Sequence, residues 1–204
     1  MFAGKPIIGI VGGIGAGKSF VAALFGQAGC LVIDSDAQVR EVYLDPKVLQ
    51  TVQAWWGRDV LDGQGRIDRK SVARIIFASE TERKRLECLI HPLVSDRREQ
   101  VMAAAAGDRA VVAYVWDTPL LVEVGLHRQC DALVFVEASR EDRLAHVTAH
   151  RGWDAAELER RQNLQLPLDM KREISDYHVV NTADAGYTRD QVREILSRIV
   201  TGLP

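Results

Sequence analysis

The sequence predicts an α/β protein built on a doubly wound, five-stranded parallel sheet, and three observations carry that expectation. Short apolar runs alternate with helical patterns, which is the mark of parallel strands joined by crossover helices. The runs are continuously apolar rather than alternating, as suits strands covered on both faces. The first run leads straight into Gly12-Gly13-Ile14-Gly15-Ala16-Gly17-Lys18-Ser19. This G-x-x-x-x-G-K-S pattern requires a strand, a loop and a helix in succession.

Strands are predicted at 7–11, 31–33, 110–116, 132–136 and 177–180. The helix that follows the glycine-rich loop opens with Phe20-Val21-Ala22-Ala23-Leu24-Phe25 and is ended by Gly29. Ser139 and Asp154 are suited to cap later helices. Between the second and third strands the alternation stops. Helical stretches are predicted at 46–56, 68–77, 81–89 and 92–106, with a turn at Asp62-Gly63-Gln64-Gly65. The expected organisation is one unit, 1–204, with a core at 1–44, 108–139 and 172–204. A helical region, 45–107, either carries a second substrate or is a stabilising cap. A cation-dense segment, 140–171, completes the chain.

A length of 204 residues accommodates one such domain with inserted subregions. The composition, 47% hydrophobic and 26% charged, is that of an ordinary soluble protein. A formal net charge of −2 argues against a general nucleic-acid binder, which needs many cations to neutralise phosphates. Cys30, Cys88 and Cys130 are scattered with no C-x-x-C pair, which fits a reduced cytoplasmic protein. Gly9, Gly12 and Gly13 interrupt the apolar N-terminal run, so it lacks the form of a signal peptide. No segment is apolar for long enough to span a bilayer, so no membrane partner is expected.

The loop at 12–19 is a P-loop by its residues. Its glycines let backbone N–H groups turn toward a phosphate, and the helix N-terminus adds positive potential. Lys18 is placed to neutralise the β- and γ-phosphates, and Ser19 to hold Mg²⁺. The second strand delivers Asp34-Ser35-Asp36 to the carboxyl edge of the sheet. One of these acids can take the proton of an attacking hydroxyl, and either can instead cap the following helix. The third strand ends in Asp117, in the manner of a Walker B acid, suited to Mg²⁺. Thr118 follows it where a hydrolase would place a water-activating Glu, which leans toward transfer to a bound acceptor. Glu123 either lines an acceptor site or is a surface acid. His91, next to Pro92, is placed at a helix start, as a structural residue or as a donor to substrate. Arg140, Arg143, Arg151, Arg160, Arg161 and Lys171, with His146 and His150, form either a lid over phosphates or a solvated helix face. The nearby Glu141, Asp142, Glu157 and Glu159 favour the second reading for some of them.

These motifs in this order resemble the dephospho-CoA kinase family. The resemblance covers nearly the whole chain and rests on the P-loop, Asp34-Ser35-Asp36, Trp56-Gly57-Arg58-Asp59 and Gly65-Arg66-Ile67-Asp68-Arg69-Lys70. It continues through Leu86-Glu87-Cys88-Leu89-Ile90-His91-Pro92, Pro119-Leu120-Leu121-Val122-Glu123 and Arg161-Gln162-Asn163-Leu164-Gln165-Leu166-Pro167-Leu168. It implies an adenylate-kinase-like core with a CoA-binding helical region and a lid, ATP as donor with Mg²⁺, and the 3′-hydroxyl of dephospho-CoA as acceptor. By position it implies Asp36 as the base, with Lys18 and a lid arginine, Arg143 or Arg151, acting on the phosphates. It places Gly13, Gly15, Ala16, Gly17, Lys18, Ser19, Phe20 and Asn181 around ATP. It places His91, Leu120, Glu123 and Arg161 around the acceptor, and Ser19 and Asp117 on the metal. The chain departs from the family at Phe20, at Val180-Asn181, and at His146 and His150, where relatives usually carry Arg. Another small-molecule or nucleotide kinase of this fold, and a nucleotide-dependent switch, are the alternatives. Asp62-Gly63-Gln64-Gly65 fits the D-x-x-G of a switch, but the chain has no Asn-Lys-x-Asp for guanine.

Overall fold

The computed structural model describes residues 1–182 and 184–202. Its five strands are β1 (Ile7–Gly12), β2 (Cys30–Asp34), β3 (Ala113–Asp117), β4 (Ala132–Glu137) and β5 (Tyr177–Val180). All pair in parallel, in the order β2-β3-β1-β4-β5. The chain steps out from β1 to β2, returns to β3 beside β1, then crosses to β4 and β5. The winding therefore reverses at β1, and the loop that leaves β1 opens at the carboxyl edge of that switch point, where such sheets bind ligands.

Apolar burial on both faces explains why the strands read as unbroken hydrophobic runs. On one face Ile8, Ile10, Val115 and Val134 pack against Val21, Leu24 and Phe25 of α1 (Lys18–Gln27) and Val192, Ile195 and Ile199 of α9 (Ala185–Gly202). On the other, Ile7, Val11, Ile33, Tyr114, Trp116 and Phe135 meet Met102, Leu121 and Val122. Phe25 is fully buried under the sheet. Phe25→Ala is therefore expected to cost about 3–5 kcal/mol, read as a fall in the urea midpoint.

β3 begins at Ala113, three residues later than the run from Ala110 suggested. Its ladder to β2 starts at the Cys30 and Ala113 pair, and Ala110 has only turn partners before it.

The chain divides into two compact units, one comprising 1–34 and 102–204 and the other Ser35–Val101. The limits of the helical unit thus differ from the 45–107 expected. It begins with α2 (Ser35–Val42), whose Val39 and Val42 join Val48, Val52 and Val60 in a separate core. It ends before Met102, which packs with the sheet. Ala183, Leu203 and Pro204, within the expected core segment 172–204, lie outside the described residues. The helical unit also contains α3 (Pro46–Trp56), capped by Asp45, and α4 (Arg69–Ala78), capped by Asp68. The turn expected at 62–65 is present, closed by Gly65 N–H donating to the Asp62 carbonyl.

The two helices expected at 81–89 and 92–106 are one, α5 (Glu80–Ala104), with Pro92 inside it. A proline in a helix interior costs roughly 3 kcal/mol, because a backbone donor is lost and its ring opposes the carbonyl four residues back. Leu86, Ile90 and Val94 form an i, i+4, i+8 stripe that is buried in the helical unit's core. Burying three such side chains is worth about 1.5–3 kcal/mol each, which exceeds the proline cost and keeps the helix whole. His91 accordingly sits mid-helix and exposed, not at a helix start.

Candidate functional site

The P-loop is shaped by two glycines in the left-handed region, Gly15 at φ +78 and Gly17 at φ +86. A Cβ on Gly15 would lie 2.5 Å from the carbonyl oxygen of Arg143, so no other residue fits beneath that backbone. Gly17 is the N-cap of α1 and supplies no side-chain acceptor to the first helical N–H groups. The helices at Asp45, Asp68, Ser139 and Asp154 all have their first turns capped by side chains. The open donors of α1, with the positive end of its dipole, are suited to an anion. Asn181, buried after β5, donates Nδ2 to the Ala16 carbonyl at 2.9 Å and so ties the loop to the sheet.

Lys18 lies along the inside of the loop, donating Nζ to the carbonyls of Gly13 at 2.9 Å and Gly12 at 3.3 Å. Burial first, then the charges of Lys171 and Arg151, against the opposing Asp117 and Glu123, bring its pKa from 10.5 down to about 8. Ser19 is exposed on the first turn of α1, and Phe20 beside it is 41% exposed. Asp117 ends β3 in register with Asp34 at the end of β2, so two carboxylates share the carboxyl edge of the sheet.

The loop after β3 turns sharply. Leu120 takes φ +60, uncommon for a residue with a Cβ, and is 41% exposed. Glu123 follows, and its Oε1 accepts from Lys171 Nζ at 2.7 Å and from Leu166 N–H at 3.1 Å. Burial would raise this carboxyl, but the Lys171 hydrogen bond and charge outweigh it and hold it below the ordinary value. Lys171 also donates to Gln165 Oε1 at 3.0 Å and is only 3% exposed.

The cation-dense segment folds as α6 (Arg140–Arg151) and α7 (Ala155–Gln162), followed by α8 (Leu168–Glu173). Ser139 and Asp154 are their caps, as expected. Val147 and Leu158 close over Ile14 of the P-loop, with Leu144 and Trp153 beside them. Arg143 is buried, its Nη1 donating to Gln162 Oε1 at 2.6 Å. Burial, then the neighbouring Arg140, pull its guanidinium below the usual range. A Cβ on Gly13 would meet this guanidinium at 3.1 Å, so Arg143 lies against the P-loop backbone. His146 Nδ1 is 2.8 Å from the Gly15 carbonyl, which makes that nitrogen the protonated one. Arg151 and Arg161 both stack on Trp153, at 4.8 and 4.2 Å from the ring centroid. Arg161 also pairs with Glu157 at 2.6 Å. Arg160 and Arg161 thus both pair with Glu157, as on a charged helix face, whereas Arg143 is buried.

The sheet unit thus brings together the P-loop, Asp117, Glu123, Arg143, Arg151 and Asn181. Asp36 and His91 belong to the helical unit. Asp36 is exposed in the first turn of α2, two residues beyond β2 along the chain. The helical unit also carries a groove of about 480 Å³ lined by Glu41, Leu44, Asp45, Pro46 and Arg97. Its wall is held by an Arg97–Glu41 ion pair at 3.0 Å. The sequence marks Lys171 only as one of the cations of segment 140–171, without its partner, and gives Gln162 and Trp153 no role. A lysine one helical turn after Leu168, in an otherwise apolar Leu166-Pro167-Leu168 approach, was the available signal for Lys171.

A family model described as dephospho-CoA kinase matches residues 6–186. A dephospho-CoA kinase of Thermobifida fusca is 36% identical over 190 residues, covering 92% of this chain and 93% of that one. One from Syntrophotalea carbinolica is 33% identical over 198 residues, covering 97% and 93%. A crystal structure from Thermus thermophilus superposes with a TM-score of 0.79 at 28% identity, covering 98% of each chain. The dephospho-CoA kinase of Campylobacter jejuni, at 18% identity and TM-score 0.71, covers 97% of this chain and 98% of its own and bears on the fold alone.

Proposed function

The chain belongs to the dephospho-CoA kinase family, so its reaction is transfer of the γ-phosphoryl of ATP to dephospho-CoA, and we propose that its sheet unit holds the nucleotide while Asp36 activates the acceptor's 3′-hydroxyl. The observation that carries the nucleotide site is the uncapped start of α1. Its free N–H groups, the left-handed Gly15 and Gly17, and the Lys18 ammonium inside the loop suit a chain of phosphates.

In this reading Gly13, Gly15, Ala16, Gly17, Lys18 and Ser19 cradle the β- and γ-phosphates, Phe20 contributes backbone, and Asn181 fixes the loop and borders the base. Ser19 and Asp117 supply hard oxygen donors from the sheet unit, a set that suits Mg²⁺, which takes few protein ligands and keeps phosphates and waters. Bound there, Mg²⁺ would neutralise charge on the phosphates. Segment 140–171 acts as the lid. Its Arg143 and Arg151 bring cations to the transferred group, and its closure excludes water. Thr118 stands after Asp117 where a hydrolase places a water-activating Glu, which favours transfer to the alcohol over hydrolysis. Asp36 takes the hydroxyl proton late in the transfer. The helical unit, Ser35–Val101, receives dephospho-CoA, with its groove at Leu44 and Arg97 as one candidate contact. His91, Leu120, Glu123 and Arg161 complete the acceptor contacts. No helix among the described residues is long and apolar enough to cross a membrane, and we place the enzyme in the cytoplasm.

The test is ADP release with dephospho-CoA as sole acceptor. Turnover there, with little or none on nucleoside monophosphates and with ATP preferred over GTP, is the expected result. Turnover only on nucleoside monophosphates would overturn the acceptor assignment.

A further inference from the structure

We propose that Lys171 is a positioning residue for the nucleotide: with Glu123 it forms a buried strut that seats helix α8 against the P-loop and directs a second ammonium toward the phosphates. The inference rests on the P-loop being the ATP site. Lysine is almost never buried without a partner, and Lys171 is 3% exposed. Its Nζ reaches Glu123 Oε1 at 2.7 Å and Gln165 Oε1 at 3.0 Å, and the same Glu123 oxygen takes the Leu166 N–H at 3.1 Å. Three segments converge on this point: the loop after β3, the stretch before α8, and α8 itself. One turn earlier on α8, the Leu168 side chain lies 3.2 Å from where a Cβ on Gly13 would stand. Leu168 thus links the strut to the P-loop. Lys171 also acts on Lys18 more strongly than any other charge, ahead of Asp117, Arg151 and Glu123.

Stability alone does not account for this pair. A well-packed apolar pair of similar volume is commonly as stable as a buried ion pair, or more so. The arrangement is also incompletely satisfied, because Glu123 Oε2 is buried with no hydrogen-bond partner. A network kept only for structure would be expected to close all its bonds. A preorganised ammonium beside an anion site explains why an ion pair stands here in place of an apolar pair, since preorganised charge in a dry site needs no rearrangement when the phosphates arrive.

The experiment measures equilibrium binding of Mg·ATP without acceptor, together with Tm, so that any role of Glu123 toward the acceptor does not enter. Lys171→Met is expected to weaken Mg·ATP about tenfold and to lower Tm. The double variant Lys171→Met/Glu123→Leu removes the ion pair as a whole. It should regain the lost Tm while ATP binding stays about tenfold weak. Lys171→Arg keeps the charge and should bind within about threefold of wild type. The proposal is overturned if the double variant regains ATP affinity along with Tm, or if Lys171→Met binds ATP normally. It is equally overturned if Lys171→Arg is as weak as Lys171→Met. Should Lys171→Met not fold, the double and Arg variants decide the matter. Failure of the wild-type protein to bind ATP at all would instead reject the nucleotide site.

Discussion

Asp36→Asn is expected to lower kcat by about 10²–10⁴ with dephospho-CoA while Mg·ATP binds at wild-type affinity. Asparagine preserves the size of the side chain and an oxygen acceptor but cannot accept a proton at the pH of the reaction. In a loose phosphoryl-transfer transition state the attacking hydroxyl is little deprotonated until late, so the base acts through orientation and final proton acceptance. The nucleotide is assigned to the P-loop, in the sheet unit, whereas Asp36 belongs to the helical unit, so the two functions should separate in the kinetics. Asp36 is exposed, in the first turn of α2, where a carboxylate suits the helix dipole. Losing that interaction costs only about 0.3–1 kcal/mol, so Tm should hardly move and a fall in kcat cannot be ascribed to unfolding. Asp34→Asn is the comparison that matters, because Asp34 is the other acid at this edge. If Asp36→Asn turns over at close to the normal rate and Asp34→Asn does not, the base is Asp34.

The sheet was legible because its strands are buried on both faces, which leaves an unbroken apolar record in the sequence. The phosphate loop was legible because its glycines answer a backbone requirement that no other residue meets, as at Gly15 under the Arg143 carbonyl. The continuity of α5 was not. Local rules place a boundary at Pro92, and only the tertiary stripe of Leu86, Ile90 and Val94 overrides them. The strand at 110–116 read three residues too early because Val111 and Val112 are half-buried apolar residues next to β3 without belonging to its ladder. Pairings between distant residues were the least legible part. Nothing local marks Gln162 as the partner of Arg143, or Lys171 as the partner of Glu123. Burial turns both from members of a charge run into fixed features of the site. The departure at His146 acquires a physical role only in the structure, where its ring reaches the Gly15 carbonyl.

Lys18→Met is expected to abolish measurable Mg·ATP binding, cutting kcat/KM by at least about 10²–10³, and at the same time to make the fold more stable at pH 7. The native lysine is held charged in a half-buried position where its nitrogen donates to the Gly12 and Gly13 carbonyls. Burial, with Lys171 and Arg151, brings its pKa to about 8 from 10.5. The sign follows directly. In the unfolded chain the group holds its proton up to about pH 10.5, while in the fold it begins to lose it near 8. The destabilisation is therefore fully present below about pH 8 and disappears as pH rises through the window to 10.5. Removing the charge should recover of the order of 1–3 kcal/mol at pH 7, after allowing for the two lost hydrogen bonds. In urea melts the advantage of Lys18→Met should shrink steadily between pH 8 and 10.5. Phosphates favour the protonated form, so ATP should raise the pKa of Lys18. Wild-type affinity should be level near pH 7, then fall by up to about tenfold per pH unit above 8, with proton uptake on binding in that range. A wild-type protein whose ATP affinity is unchanged from pH 7 to 9.5, or a Lys18→Met variant no more stable than wild type at pH 7, would show that the loop does not hold its lysine under this penalty. The strain is intelligible only if a polyanion relieves it, since the same desolvation that costs stability in the empty loop strengthens the lysine's attraction for a phosphate once one is bound.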